Sequence, residues 1–126
     1  RVALARSLAT EPEVLLLDEP FSALDAFTRS SLQEEVPAIC RDRKITMVTV
    51  THDIDEAVLM ADRVLVMSQN PGKIVKELTI DLPWPRKHMD ANFQSLRDQL
   101  MQIFSDTDSS LSTNQKLEKN SNSNAA

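Results

Sequence analysis

The sequence predicts an α/β fold with a mostly parallel sheet flanked by helices, and three observations carry that prediction. Val14-Leu15-Leu16-Leu17 is an unbroken aliphatic run, followed at once by Asp18-Glu19-Pro20. A run of this kind suits a central parallel strand covered on both faces. Ile45 to Thr51 is a second run, β-branched and mostly apolar, that closes on His52-Asp53. Glu19 and His52 stand 33 positions apart, which leaves room for one crossover helix between neighbouring parallel strands.

Local signals set each element in turn. Arg1 to Thr10 is alanine-rich, with Leu4 and Leu8 on one helical face, and Pro12 stops the helix. Pro20 cannot continue a ladder, so Asp18 and Glu19 are held at the carboxyl end of the first strand, where open α/β sheets bind ligands. Asp25 is placed to cap a helix over residues 26–43, whose apolar stripe is Leu32, Val36, Ile39 and Cys40. Pro37 lies inside that span and predicts a kink or a split into two pieces. Asp53 with Glu56 three residues later reads as a capping box for a short helix over residues 54–60.

Arg63 to Met67 is a third strand, and Ser68 to Gly72 a turn in which Gly72 is free to take positive φ. Residues 74–80 return as a hairpin arm with its lysines exposed. Pro83 and Pro85 keep Leu82 to Arg86 extended. Asp90 starts a last amphipathic helix with the stripe Phe93, Leu96, Leu100, Ile103 and Phe104. Residues 105–126 are mostly Ser, Asn, Asp and Lys, with few apolar anchors, and predict a disordered polar tail.

The totals narrow the function. The 126 residues match one domain, and 41% hydrophobic content is ordinary for a globular chain. A net charge of −5 argues against a broad nucleic-acid footprint. No apolar run approaches the roughly 20 residues that span a bilayer. The lone Cys40 excludes an internal disulfide, and His52 and His88 show no zinc spacing with it. His88 reads as an exposed loop residue, and Arg1 and Arg6 as solvated surface charges. Adjacent carboxylates at Asp18 and Glu19 repel each other unless a cation compensates, and magnesium bound with a nucleotide supplies that charge. Gly72 is the single glycine, whereas a loop that wraps phosphates needs several. With Arg1 already inside a helix, the expectation is the C-terminal part of a larger protein.

Leu15-Leu16-Leu17-Asp18-Glu19-Pro20 looks like a Walker B motif, Ser22-Ala23-Leu24-Asp25 a D-loop and His52 a switch histidine. Together they resemble the nucleotide-binding subunit of ATP-binding-cassette (ABC) transporters, a branch of the P-loop NTPases. Asn70-Pro71-Gly72-Lys73-Ile74-Val75 and Ile80-Asp81-Leu82-Pro83-Trp84-Pro85-Arg86 are similar to the nitrate, sulfonate, taurine and bicarbonate branch of importers. The resemblance covers residues 1–104 and implies the C-terminal part of the ATPase domain, beginning just after the signature motif.

It further implies ATP held between two subunits and in-line attack of water on the γ-phosphate. Asp18 would orient Mg2+ through a coordinated water, Glu19 would act as general base, and His52 would contact the γ-phosphate and Glu19. Asp25 would cap its helix and reach across the dimer, and Ser22 would shape the same interface. Asp53 is a helix cap. The implied partners are a second ATPase subunit, a transmembrane permease and, indirectly, a solute-binding protein, at the cytoplasmic face of the cell membrane. Without a P-loop or signature motif, these 126 residues alone are expected to be inactive. Two other readings remain: an ABC-type ATPase of DNA repair or chromosome maintenance, and a non-catalytic truncated relic. The sequence upstream of Arg1 separates them.

Overall fold

The computed structural model describes residues 2–69 and 71–123. Arg1, Asn70 in the turn and the last three tail residues, 124–126, lie outside the described residues. The chain divides into two compact units, Arg1–Ala61 and Asp62–Ala126.

The first unit contains α1 (Val2–Ala9), β1 (Val14–Asp18), α2 (Ala26–Asp42), β2 (Thr46–Val50) and α3 (Ile54–Met60). Strands β1 and β2 pair in parallel, from Val14 opposite Thr46 to Asp18 opposite Val50. The predicted parallel pair and its crossover helix are therefore present. Helix α2 begins at Asp25, whose side chain accepts from the Thr28 amide at 3.0 Å. Its buried residues Leu32, Val36 and Cys40 lie on the predicted stripe, and α2 packs on both β2 and α3.

Of the two outcomes expected at Pro37, a kink or a split, the split does not occur in this unit. Pro37 neither splits α2 nor ends it: one helix runs from Ala26 to Asp42 with Pro37 buried inside. Proline removes only one backbone bond, and packing of the apolar face, rather than propensity, decides whether a helix persists. The first strand is also not covered on both faces. Leu15 is 4% exposed but its neighbour Leu16 is 73% exposed. Side chains alternate along a strand, so Leu15 faces the helices while Val14, Leu16, Val48 and Val50 form an open apolar row.

The second unit holds β3 (Arg63–Ser68), β4 (Lys73–Thr79) and α4 (Ala91–Ser123). The strands form the predicted antiparallel hairpin, with a register shift between Val66 and Met67. Gly72 does not use the freedom assigned to it, since no glycine here has positive φ. The turn closes instead through the Ser68 hydroxyl, which donates to the Pro71 carbonyl at 3.0 Å.

Arg86 is buried beside the extended Leu82–Pro85 stretch. It donates to the carbonyls of Ile80 (3.2 Å) and Leu82 (3.4 Å), and its guanidinium lies 4.2 Å from the Trp84 ring centroid. The burial of this cation is thus compensated by fixed dipoles and a π face. Phe93 and Leu100 anchor α4, which packs on β3. α4 continues through residues 105–123. That stretch has neither proline nor glycine and carries helix-compatible Leu, Gln, Lys and Glu.

Candidate functional site

The site sits at the carboxyl ends of β1 and β2. Glu19 directly follows β1, and its amide donates to the Val50 carbonyl at 2.8 Å, which carries the pairing one step past the strand. Its φ is +46°, in the left-handed region. That conformation costs a non-glycine residue about 1–2 kcal/mol. Pro20 then takes the chain out of the sheet, as predicted, and Glu19 absorbs the sharp change of direction. Strain of this kind persists only where the surrounding structure over-determines it, here through the pairing with Val50 and the Ser22 hydroxyl on the Glu19 carbonyl.

β2 delivers His52 to the same place. His52 Nδ1 lies 2.7 Å from Glu19 Oε1. An ionised carboxylate only accepts, so the shared proton belongs on Nδ1, and Nε2 is left facing outward. The hydrogen bond to Glu19 and then the charge of Glu19 raise the His52 pKa above 6.5. The imidazole side chain remains 79% exposed.

The other predicted residues divide into two sets. Ser22 joins the site: its hydroxyl donates to the Glu19 carbonyl at 3.2 Å, and it lines a cavity of about 110 Å3 together with Glu19 and His52. Asp18 and Asp25 do not line that cavity. Asp18 ends β1 as an exposed carboxylate. Asp25 is exposed and engaged as a cap, and the Thr28 hydrogen bonds hold its carboxyl below the ordinary value. His88 belongs to the second unit, where it lies edge-on to Phe93 at 5.0 Å.

Four lining residues were given no place at the site by the sequence: Phe21, Arg29, Thr51 and Glu56. Glu56 departs from the expected capping box. Its amide does donate to Asp53 Oδ1 at 3.2 Å, but its carboxylate turns inward and takes a hydrogen bond from Gln33 Nε2 at 3.1 Å. The Asp53 amide donates to the Thr51 hydroxyl instead. Burial, the largest cause, raises the Glu56 pKa, and the hydrogen bond from Gln33 and the nearby Thr51 hydroxyl oppose it. A spacing signal existed for the partner. Gln33, Val36, Pro37 and Cys40 recur at intervals of a helix face and are all buried. Nothing comparable marked Glu56, an acid in an acidic first turn.

The residues also fit a magnesium-bound nucleotide in one respect. Among the described residues no three His, Cys, Asp or Glu side chains cluster as a metal cage. Magnesium uses one or two carboxylates and completes its octahedron with phosphates and water. The free-standing carboxylate of Asp18 at the strand end is a donor of that type.

No model of a known protein family matches the chain. It is 50% identical over 108 residues to an aliphatic sulfonates import ATP-binding protein, SsuB, of Bacillus licheniformis, a match covering 86% of this chain and 42% of the relative. The corresponding Bacillus cereus protein is 53% identical over 104 residues, covering 82% of this chain and 41% of that one. A bicarbonate transport ATP-binding protein, CmpC, of Synechococcus elongatus is 52% identical over 106 residues, covering 80% of this chain and 16% of the relative. The chain thus spans about two fifths of the length of the sulfonate relatives.

Proposed function

Because this chain is, over most of its length, a homologue of ABC importer ATP-binding subunits, we propose that it supplies the hydrolytic half of an ATPase site that drives uptake of a small anion. Sulfonates and bicarbonate, named for the relatives, define the substrate class, with nitrate and taurine as chemical neighbours. In this reading residues 1–104 form the C-terminal part of the ATPase domain. The observation that carries it is the 2.7 Å contact between His52 and Glu19 at the ends of adjacent parallel strands.

The chemistry follows from the atoms. Glu19 Oε1 is engaged by His52, so Oε2 is available to take the proton from a water that attacks the γ-phosphate. The carboxylate also favours the protonated imidazole, and a protonated ring has an N–H at Nε2 to offer the phosphate oxygens. Asp18 would hold Mg2+, which neutralises charge on the phosphates. Ser22 fixes the Glu19 carbonyl and with it the strained turn. Asp25 secures the start of α2, so the 22–25 loop has a fixed shape to present to a second ATPase subunit.

The complete protein would act as a pair on the cytoplasmic face of the membrane, beneath a permease fed by a solute-binding protein. No helix among the described residues is long and apolar enough to cross a membrane, so the attachment would be peripheral.

The test is Glu19→Gln in the complete ATP-binding protein. Affinity for Mg-ATP should stay nearly unchanged while turnover falls by about two orders of magnitude or more. Phosphate release near the wild-type rate would refute the role of Glu19. The 126 residues alone contain a base, a histidine and a magnesium anchor, but no glycine-rich loop to cradle phosphates. Titration calorimetry with Mg-ATP on this chain should therefore show no saturable binding tighter than about 1 mM.

A further inference from the structure

Behind the Glu19–His52 contact lies a polar layer that the proposed hydrolysis does not use. Gln33 on α2 and Glu56 on α3 are both buried, at 7% and 4% exposure, and they bond to each other across the two helices. Glu56 Oε1 is left without a partner, and so is Arg29 Nε, and both residues line the cavity that Glu19 and His52 also line. Arg29 Nη2 meanwhile donates to the Leu24 carbonyl at 2.8 Å, inside the 22–25 loop.

A buried polar pair of this kind is costly unless every contact is kept. Its position is what makes it informative. α3 has only seven residues and begins immediately after His52-Asp53, so its first turn and the histidine must move together. That turn is held by Asp53 accepting from the Glu56 amide, by Thr51 accepting from the Asp53 amide, and by the Gln33–Glu56 bond. Only the last of these reaches another element. Without it, Glu56 would carry its carboxylate toward water and pull the turn outward.

We propose that Gln33 and Glu56 are a positioning pair that anchors the His52 turn to α2 and so sets the imidazole on Glu19, with Arg29 tying the same helix to the 22–25 loop. The pair touches no reacting atom. It adds a polar tie between the two loops that flank the site to the apolar packing of Val58, Leu59 and Met60 in α3. This rests on the reading of Glu19 and His52 given above for its consequence in catalysis, but not for its geometry.

The geometry can be tested in the 126-residue chain by NMR titration of the histidine rings. There are two histidines, and His88→Gln assigns the signals. In the wild type His52 should titrate above the ordinary value of about 6.5. Gln33→Ala removes no charge and leaves Glu19, Asp53, Glu56 and Arg29 in place around the ring, yet it should return His52 to about 6.5. Val36→Ala, which opens a hole in the same helix, should leave the titration where it was. The exchange variant Gln33→Glu with Glu56→Gln rebuilds the bond in reverse and should restore the raised midpoint.

An unchanged midpoint in Gln33→Ala, or an equal fall in Val36→Ala, overturns the proposal. If Gln33→Ala loses its helical circular dichroism, the exchange variant decides: a raised midpoint supports the pair, and an ordinary one in a folded protein overturns it. None of these arms contains nucleotide. Failure of the complete protein to hydrolyse ATP would thus remove the functional reading and leave this answer standing.

Discussion

At the scale of single residues, charge and burial oppose each other most sharply at Glu56. Its raised pKa means that folding favours the protonated acid. The cost of holding the carboxylate is absent below the unfolded value of 4.5 and grows as pH rises through the folded value. Glu56→Gln keeps an oxygen for Gln33 and carries no charge, so it should raise the unfolding midpoint at pH 7. That gain should vanish below about pH 4, and thermal melts across this range would check it. His52 has the same sign in pH, because its folded-state pKa is also raised. The stability from its contact with Glu19 is complete below 6.5 and is lost as pH rises through the raised value. The sequence displayed Asp18, Glu19 and His52 because adjacent acids after an apolar run, and a histidine after the next one, are local patterns. Glu56 and Arg29 were invisible because their burial depends on which helices meet, and an acid in the first turn of a helix is ordinarily a solvated one.

At the scale of elements, boundaries were legible wherever a cap or a breaker stood in the chain. Asp25, Asp53 and Pro12 each act where the sequence placed them. Pro37 misled because its effect depends on tertiary packing, and its ring is buried in the same face as Val36. The end of α2 holds a testable detail. Lys44 takes φ +56° while its amide donates to the Arg41 carbonyl, and Ile45 donates to that of Cys40. This is a helix C-terminus that ordinarily recruits glycine. Relieving the left-handed strain gains about 1–2 kcal/mol, and the greater freedom of unfolded glycine takes back about 0.5–1 kcal/mol. Lys44→Gly should therefore stabilise the chain by roughly 0.5–1 kcal/mol in urea titrations, with an unchanged m-value. A loss of stability would show that the lysine side chain holds this turn.

At the scale of the whole chain, the two apolar runs and their spacing foretold an α/β protein, but not which residues would line the open face of the sheet. An aliphatic run of four looks the same in a strand buried on both sides and in one buried on a single side. Leu15 and Leu16 are identical in sequence terms and opposite in environment. In the first unit the open row of Val14, Leu16, Val48 and Val50 lies on a sheet that, among the described residues, has two strands and no pairing at its outer edges. A groove lined by Arg6, Thr10, Pro12, Val14 and Leu16 runs beside it. Contiguous apolar surface next to a free strand edge favours association with any other such surface. The prediction is that this chain self-associates with rising concentration, and that the face rather than the hairpin of the second unit drives it. Leu16→Thr with Val48→Thr keeps β-compatible residues in both strands while making the row polar, so the strands should still pair. Sedimentation velocity should then show a shift toward monomer across the concentrations at which the parent chain associates. The same pair of changes on the hairpin, Leu65→Thr with Met67→Thr, also removes exposed apolar side chains and serves as the control. If the hairpin variant dissociates the protein and the sheet variant does not, the open face of β1 and β2 is not the adhesive surface.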